Sequence, residues 1–198
     1  MKRKNIFRIS VALGLIISVV VFNFTAFARD CREIRKNTLR LHVIANSDSE
    51  EDQALKLLVR DRILKETGDL FLNSQDKDES ISLAKENMEL IISAAKDEIL
   101  KAGKDQEVTA EICEMFFETR VYGDVTMPAG RYNALRVKIG ESKGKNWWCV
   151  LFPPLCLPSC TADDEALALL EPVSRENANF KVKFYFVEVL ERIKEWWK

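Results

Sequence analysis

Apolar and polar positions alternate most regularly in the second half of the chain. Residues 134–139 alternate apolar with charged side chains, which predicts a half-buried strand. Residues 140–146 are small and polar, as in a hairpin loop, and residues 147–152 form an apolar run that predicts a second strand, buried on both faces. Pro153 and Pro154 end this run, because proline cannot donate to a strand ladder. The pattern therefore predicts a β-hairpin.

Three further segments have the alternating pattern of strands. They cover residues 38–45, 107–122 and 180–186. In the segment 107–122 the apolar side chains change from one face to the other part-way along, which predicts a β-bulge.

Other segments have helical spacing. Ser49 and Asp52 resemble a capping box, and the helix that they begin is predicted to stop at Gly68. Apolar residues recur at every third or fourth position over 79–101, which predicts one long helix. Shorter helical patterns cover residues 161–170 and 187–197. Because strands and helices do not alternate regularly, the predicted class is α+β, with a mainly antiparallel sheet packed against two or three helices.

The first 28 residues have the pattern of an export signal. A basic start is followed by the apolar stretch 9–22 and by Ala26-Phe27-Ala28, which has the small residues of a cleavage site. This pattern predicts a signal peptide over residues 1–28 and a single exported domain over residues 29–198. The apolar stretch is nearly long enough to span a bilayer, so an uncleaved signal anchor is the alternative.

Net charge argues against a nucleic-acid partner. The whole chain carries 30 basic and 31 acidic residues, and the leader contains four of the basic ones and none of the acidic ones. Without the leader the balance is 26 against 31, or −5. Nucleic-acid binding needs a net basic face. We expect no nucleic-acid partner, and contact with a membrane only through the N-terminal segment.

The inventory for catalysis is poor. His42 is the only histidine, which excludes sites that need two imidazoles, and its position within an apolar strand is typical of a structural histidine. No nucleophile motif of the G-x-S-x-G type is present. The acidic run 48–52 lacks the glycine and the final glutamate of a calcium loop, and a helix start explains it. We therefore predict no catalytic residue, metal or cofactor.

Five cysteines in an exported chain suggest a disulfide. Cys149 and Cys156 flank the proline turn, and a bridge between them would stabilise the fold by roughly 2–3 kcal/mol in the chain-entropy model. Cys156 with Cys160 is the competing pair, and Cys113 has the character of a small buried hydrophobe. Because five is odd, at least one thiol is free or pairs between molecules.

The adjacent Trp147 and Trp148 must face opposite ways on a strand. One of them can fill the core, whereas the other lies under a helix or at a surface, where tryptophan is a typical binding anchor. The apolar turn 153–155 is likewise either covered by a helix or exposed as part of a binding surface.

Two long segments resemble a known family. They are LRLHVIANSDSEEDQALKLLVRD, residues 39–61, and MPAGRYNALRVKIGESKGKNWWCVLFPPLC, residues 127–156. They are similar to the hallmark segments of the stage II sporulation protein R family, and the leader and the total length agree. The resemblance implies a non-catalytic signal made in the forespore of an endospore-forming bacterium. It is exported between the two membranes, where it triggers a membrane-embedded aspartic protease of the mother cell that processes the precursor of sigma factor E.

Such a signal needs a patch that docks on the protease. The predicted patch consists of His42, Asn46, Asp48, Arg131, Tyr132, Trp148, Pro153 and Pro154. Within it, Arg131 and Tyr132 are placed in a Pro-Gly loop, where they are free to recognise a partner. One rival hypothesis is an exported hydrolase acting on cell wall, using His42 with Cys149 or a nearby serine. Another is a membrane-tethered wall-binding module with an uncleaved leader.

Overall fold

The computed structural model describes residues 3–123, 125–155 and 178–197. The helices in these ranges are α1 (Arg3–Lys36), α2 (Glu50–Leu72), α3 (Lys77–Glu86), α4 (Met88–Lys101) and α5 (Ala178–Trp196). The strands are β1 (Leu39–Ile44), β2 (Val108–Phe117), β3 (Arg120–Tyr122), β4 (Val125–Met127), β5 (Gly130–Ile139) and β6 (Asn146–Phe152). The predicted helix over 161–170 lies outside the described residues.

The main sheet has the strand order β2-β5-β1-β6, and β3 and β4 form a separate two-stranded ribbon. β1 is parallel to β5 and antiparallel to β6, while β2 is antiparallel to β5. The predicted hairpin is therefore wrong, because β1 lies between its two strands. The intervening loop bonds to the end of β1 instead, where the N–H groups of Lys143 and Gly144 donate to the carbonyls of Asn46 and Ala45.

Each face of the sheet is covered by its own core. α2, α3 and α4 cover one face, where Leu41, Leu135 and Cys149 lie side by side on neighbouring strands. The second half of α1, α5 and the β3–β4 ribbon cover the other face, where Ala134 and Val150 are buried. Trp147 packs against the first core and Trp148 against the second, so the prediction that they face opposite ways is confirmed. The α+β class with a mostly antiparallel sheet is also confirmed.

Because each face of the sheet is covered by a core, the apolar side chains of β2 can change from one face to the other. Its ladder with β5 runs without a shift from Val108, opposite Ile139, to Phe117, opposite Gly130, so the predicted bulge is wrong. The apolar face changes because Val108 packs against the first core, whereas Phe117 packs against the second. The shift in register occurs in the β1–β6 ladder, between Leu39 and the next residue.

The helices differ from the predicted ones at their ends. Ser49 caps α2 as predicted, since its hydroxyl accepts from the N–H of Asp52 at 3.2 Å. The predicted stop at Gly68 is wrong, because Gly68 is buried within α2, which continues to Leu72. The single helix over 79–101 is also wrong. It is broken at Asn87, whose side-chain amide donates to the Leu83 carbonyl at 2.9 Å, a bond that competes with helix continuation.

The strand predicted over 180–186 is wrong as well, because α5 covers these residues. In a helix, Phe184 and Val187 fall three positions apart on one face, and both are buried in the second core. Apolar residues at every second position also include pairs that are four residues apart. An alternation over only seven residues therefore fits both a strand and one face of a helix. The helical pattern predicted over 187–197 is confirmed up to Trp196.

α1 has two halves with different surroundings. Its side chains up to Phe22 are exposed, whereas Phe27, Cys31 and Ile34 are buried in the second core. Among the described residues, α1 is the one helix long and apolar enough to cross a membrane. It is compatible with a signal peptide or an anchor, and the division of the chain at residue 28 stays a prediction.

Candidate functional site

A cleft of about 330 Å³ opens on the second face of the sheet. It is lined by residues from the end of β2, the start of β3 and the start of β6, namely Phe116, Phe117, Glu118, Arg120, Asn146 and Trp148. Glu118 and Arg120 lie 3.9 Å apart at its charged side, and both side chains are about half exposed. The cleft therefore combines an aromatic wall with one carboxylate, one guanidinium and one amide. Such a mixture suits recognition of a protein segment with both apolar and polar side chains.

His42 lies beneath this wall, in the middle of β1, and is 3% exposed. Its ring stacks on the indole of Trp148, and its Nε2 donates to the side-chain oxygen of Asn146 at 2.9 Å. Among the described residues, Nδ1 has no hydrogen-bond partner. Burial lowers the pKa of the imidazole, so His42 is neutral at pH 7. It therefore acts as a flat support that holds both Trp148 and Asn146 in place.

Arg40, two residues earlier on the same face, is fully buried. Its Nε donates to the Cys149 carbonyl at 2.9 Å and its Nη2 donates to the Tyr122 hydroxyl at 2.6 Å. The guanidinium also lies over the ring of Phe117, 4.4 Å from its centroid. Within the described ranges no carboxylate pairs with it, so a carbonyl, a hydroxyl and aromatic faces stabilise the charge. Burial lowers its pKa.

The contact between Arg40 and Tyr122 positions the rim of the cleft. The Tyr122 hydroxyl accepts from Arg40 and donates to the carbonyl of Trp148 at 3.2 Å, so it ties β3 to β6. Arg120 begins β3 and is thereby fixed beside the cleft. Sequence reasoning missed both Arg40 and Tyr122. The signal that could have identified Arg40 is a permanently charged side chain within the apolar run of a central strand.

Asn46 and Asp48 belong to a second network, between the end of β1 and the loop before β6. The side-chain oxygen of Asn46 accepts from the N–H of Glu141 at 2.9 Å, and Asp48 accepts from the N–H of Lys145 at 2.7 Å. The Asn46 amide donates to Asp52, and hydrogen bonds from Ser47, Gln106 and Asn46 together lower the pKa of Asp52 to about 2. Asn46 and Asp48, both members of the predicted patch, therefore stabilise the loop before β6.

Arg131 and Tyr132 lie in β5, so their placement in a loop is wrong. Tyr132 is 1% exposed, its hydroxyl donates to the Pro128 carbonyl at 2.5 Å, and its ring contacts Phe117 beneath the cleft. Arg131 instead forms a bidentate ion pair with Glu195 of α5. The structure thus brings Tyr132 together with His42 and Trp148, whereas Arg131 joins the sheet to a helix.

The proline turn is not the exposed apolar surface that one interpretation of the sequence required. Pro153 and Pro154 are both buried, directly after β6. Leu155 is half-buried against the second core. Leu155 therefore contributes packing beneath the second face, and the role of the proline turn in partner binding stays a prediction.

The Cys149–His42 pair of the hydrolase hypothesis is not formed. Cys149 lies in the first core, on the opposite face of the sheet from His42. It is also disulfide-bonded, so it has no thiolate to offer. Its partner lies outside the described residues, and the pairing with Cys156 stays a prediction. Cys31 and Cys113 are free.

Comparison with known proteins identifies the family. The family model for stage II sporulation protein R matches residues 35–162, which contain β1 to β6 and the whole cleft. A protein named stage II sporulation protein R, from Bacillus subtilis (strain 168), is 37% identical over 123 residues, or 62% of this chain and 55% of that protein. The chain thus spans little more than half the length of this relative. No solved structure matches significantly. With a family model covering its whole sheet and cleft, the chain belongs to the stage II sporulation protein R family.

Proposed function

We propose that this chain is a signalling protein made in the forespore and exported between the two membranes of the sporulating cell. There it activates a membrane-embedded aspartic protease of the mother cell, which processes the precursor of sigma factor E. Membership of the stage II sporulation protein R family supports the place of the protein in sporulation. The action on the protease follows from the role that the family resemblance implies.

The observation that carries the proposal is the preformed cleft. Its aromatic wall is held by the stacking of His42 on Trp148, and its rim is held by the bonds of the Tyr122 hydroxyl. A surface fixed in this way loses little conformational entropy when a partner binds, which favours recognition. The neutral, hydrogen-bonded His42 and the disulfide-bonded Cys149 suit a binding surface better than a reactive centre.

Two features support the exported location. α1 begins the described chain with a long apolar segment preceded in sequence by Lys2. The disulfide at Cys149 requires an oxidising compartment, which lies outside the cytoplasm in most bacteria. Together they agree with a domain that folds after it has crossed the membrane.

Reconstitution tests the proposal directly. The full chain is co-expressed with the candidate protease and its pro-sigma substrate, and processing of the substrate is followed by its change in size. We expect processing only when the chain is present and exported. A full-length chain with Leu13→Arg and Ile17→Arg, two exposed residues of the apolar stretch, serves as the control whose export is blocked, and it should not support processing. Processing that is equally efficient without the chain, or with the unexported chain, would contradict the proposal.

A further inference from the structure

α5 presents a continuous apolar stripe to the outside of the domain. Its exposed members are Val182, Tyr185, Phe186, Leu190, Ile193, Trp196 and Trp197. They recur at spacings of three and four, and so they lie along one side of the helix. Exposed apolar surface of this extent marks a contact with a partner or a membrane.

α1 and α5 contact each other at two places. Toward the middle of α5, the ring of Phe186 lies 6.5 Å from that of Phe24, and the ring of Phe184 lies 5.0 Å from that of Phe27. About two turns farther along both helices, Arg35 pairs with Glu191 at 3.4 Å. The first half of α5 therefore lies beside the end of the apolar half of α1, whereas its second half is held at Arg35 and, through the pair of Glu195 with Arg131, at the sheet.

An apolar groove of about 670 Å³ lies between the two helices at this level. Its walls include Val19, Val20 and Phe24 from α1 and Val182, Phe186 and Leu190 from α5. Val19 and Val20 belong to the exposed apolar segment that is long enough to cross a membrane. If that segment is in lipid, then the groove and the first half of α5 lie at the depth of the membrane interface.

We propose that the first half of α5 inserts into the membrane interface beside α1, and that lipid acyl chains fill the groove between them. Val182, Tyr185 and Phe186, in the first half of α5, continue the lipid-facing surface of α1, and tyrosine is enriched at the membrane interface. Membrane contact then extends beyond the N-terminal segment.

The same packing requires that α1 stays attached to the domain. Cleavage after Ala28 would remove Phe27, which is 5% exposed and packs against Phe184. It would also remove Phe24 and one wall of the groove. The attached α1 and the inserted α5 are therefore two parts of one membrane-binding unit, and this proposal does not depend on the identity of the protease.

Tryptophan fluorescence in lipid vesicles tests this proposal. The full chain is reconstituted into phosphatidylcholine vesicles with or without bromine on the acyl chains, since bromine quenches only tryptophans that reach the lipid. One reporter is Phe186→Trp in a chain that also carries Trp196→Phe and Trp197→Phe. The matched reporter is Trp197, retained in a Trp196→Phe chain and roughly 16 Å farther along the helix. A chain with only Trp196→Phe and Trp197→Phe gives the background from the two sheet tryptophans.

We expect brominated lipid to remove most of the added emission at position 186 and little of that at 197, while aqueous iodide has the opposite effect. Circular dichroism shows whether each variant is folded. Iodide quenching at position 186 would overturn the proposal, because α5 would then face water. Quenching there by neither reagent would also overturn it, because protein would then cover the groove. A mass showing that α1 has been cleaved off in the exporting cell would do the same.

Discussion

The imidazole of His42 lies flat against the indole of Trp148, with ring centroids 4.0 Å apart and an angle of 4° between the rings. The two residues are opposite each other on β1 and β6, and Asn146, two positions before Trp148, bonds to the same imidazole. His42, in a central strand of the sheet, thus fixes the positions of two residues that line the cleft, Trp148 and Asn146. This role requires the neutral ring, because a protonated imidazole would be a buried charge without a carboxylate partner.

Stability should therefore depend on pH through His42. Burial lowers its pKa in the folded state below the unfolded value of 6.5. As the pH falls through this value, the unfolded chain binds a proton that the folded chain does not, so the free energy of unfolding decreases. Above the unfolded pKa of 6.5, the contribution of the neutral His42 to the free energy of unfolding should be fully present. Urea denaturation at about pH 7.5 and about pH 5.5 measures the difference.

His42→Gln is the control, because glutamine can still donate to Asn146 but does not titrate. Since His42 is the only histidine, most of the pH dependence in this window should disappear in the variant. An equal loss of stability in both proteins between the two pH values would show that the imidazole is not the responsible group.

Local patterns predicted most of the elements but not their arrangement. The strand at 38–45 and the cap at Ser49 follow from alternation and from side-chain hydrogen bonding over three residues. The insertion of β1 between β5 and β6 depends on contacts between segments far apart in sequence. Because Arg40 and His42 lie on the second face of β1, its sequence has the pattern of a half-exposed strand, although both side chains are buried. The strand predicted over 180–186 is a helix because seven alternating residues fit both a strand and one face of a helix.

The candidate site was predicted only in part. His42 and Trp148 were named, and the structure brings them together, but their contact depends on the register of β1 with β6. Tyr132 was predicted to be accessible and is buried, because Gly130 begins a strand and does not belong to a loop. The position of Arg40 within an apolar strand indicates burial, but the rings of Phe117 and Tyr132 that surround it belong to other strands and follow only from the fold.

The second network makes Gly140 a sensitive position. Its φ is +54°, and a Cβ there would collide with the side-chain oxygen of Asn46. We expect Gly140→Ala to lower the free energy of unfolding by roughly 3 kcal/mol through strain and loss of the Asn46 contact. Gly103 has a φ of +71° with open space around it, so Gly103→Ala should cost only about 1 kcal/mol. If denaturation showed that both variants lose the same free energy of unfolding, the collision with Asn46 would not contribute to the effect.

Thiol counting tests the disulfide. A bridge at Cys149 removes two of the five cysteines, so three should react with a thiol reagent in the unfolded, unreduced chain and five after reduction. Reduction should lower the free energy of unfolding by about 2–4 kcal/mol. Peptide mapping is predicted to join Cys149 to Cys156. Recovery of Cys149 with Cys160 would replace that pairing, and five reactive thiols without reduction would exclude a bridge.

Substitution of Arg120 in the reconstituted processing assay tests most directly that the chain signals through its cleft. The Arg120 side chain is 46% exposed and its pair with Glu118 spans 3.9 Å, so Arg120→Glu should leave folding and export unchanged. Lys143→Glu makes the same charge change in the loop before β6, at a side chain 75% exposed. We predict that Arg120→Glu lowers pro-sigma processing by about tenfold or more, equivalent to about 1.4 kcal/mol of lost binding, and that Lys143→Glu processes normally. Normal processing by an exported, folded Arg120→Glu chain would contradict the account.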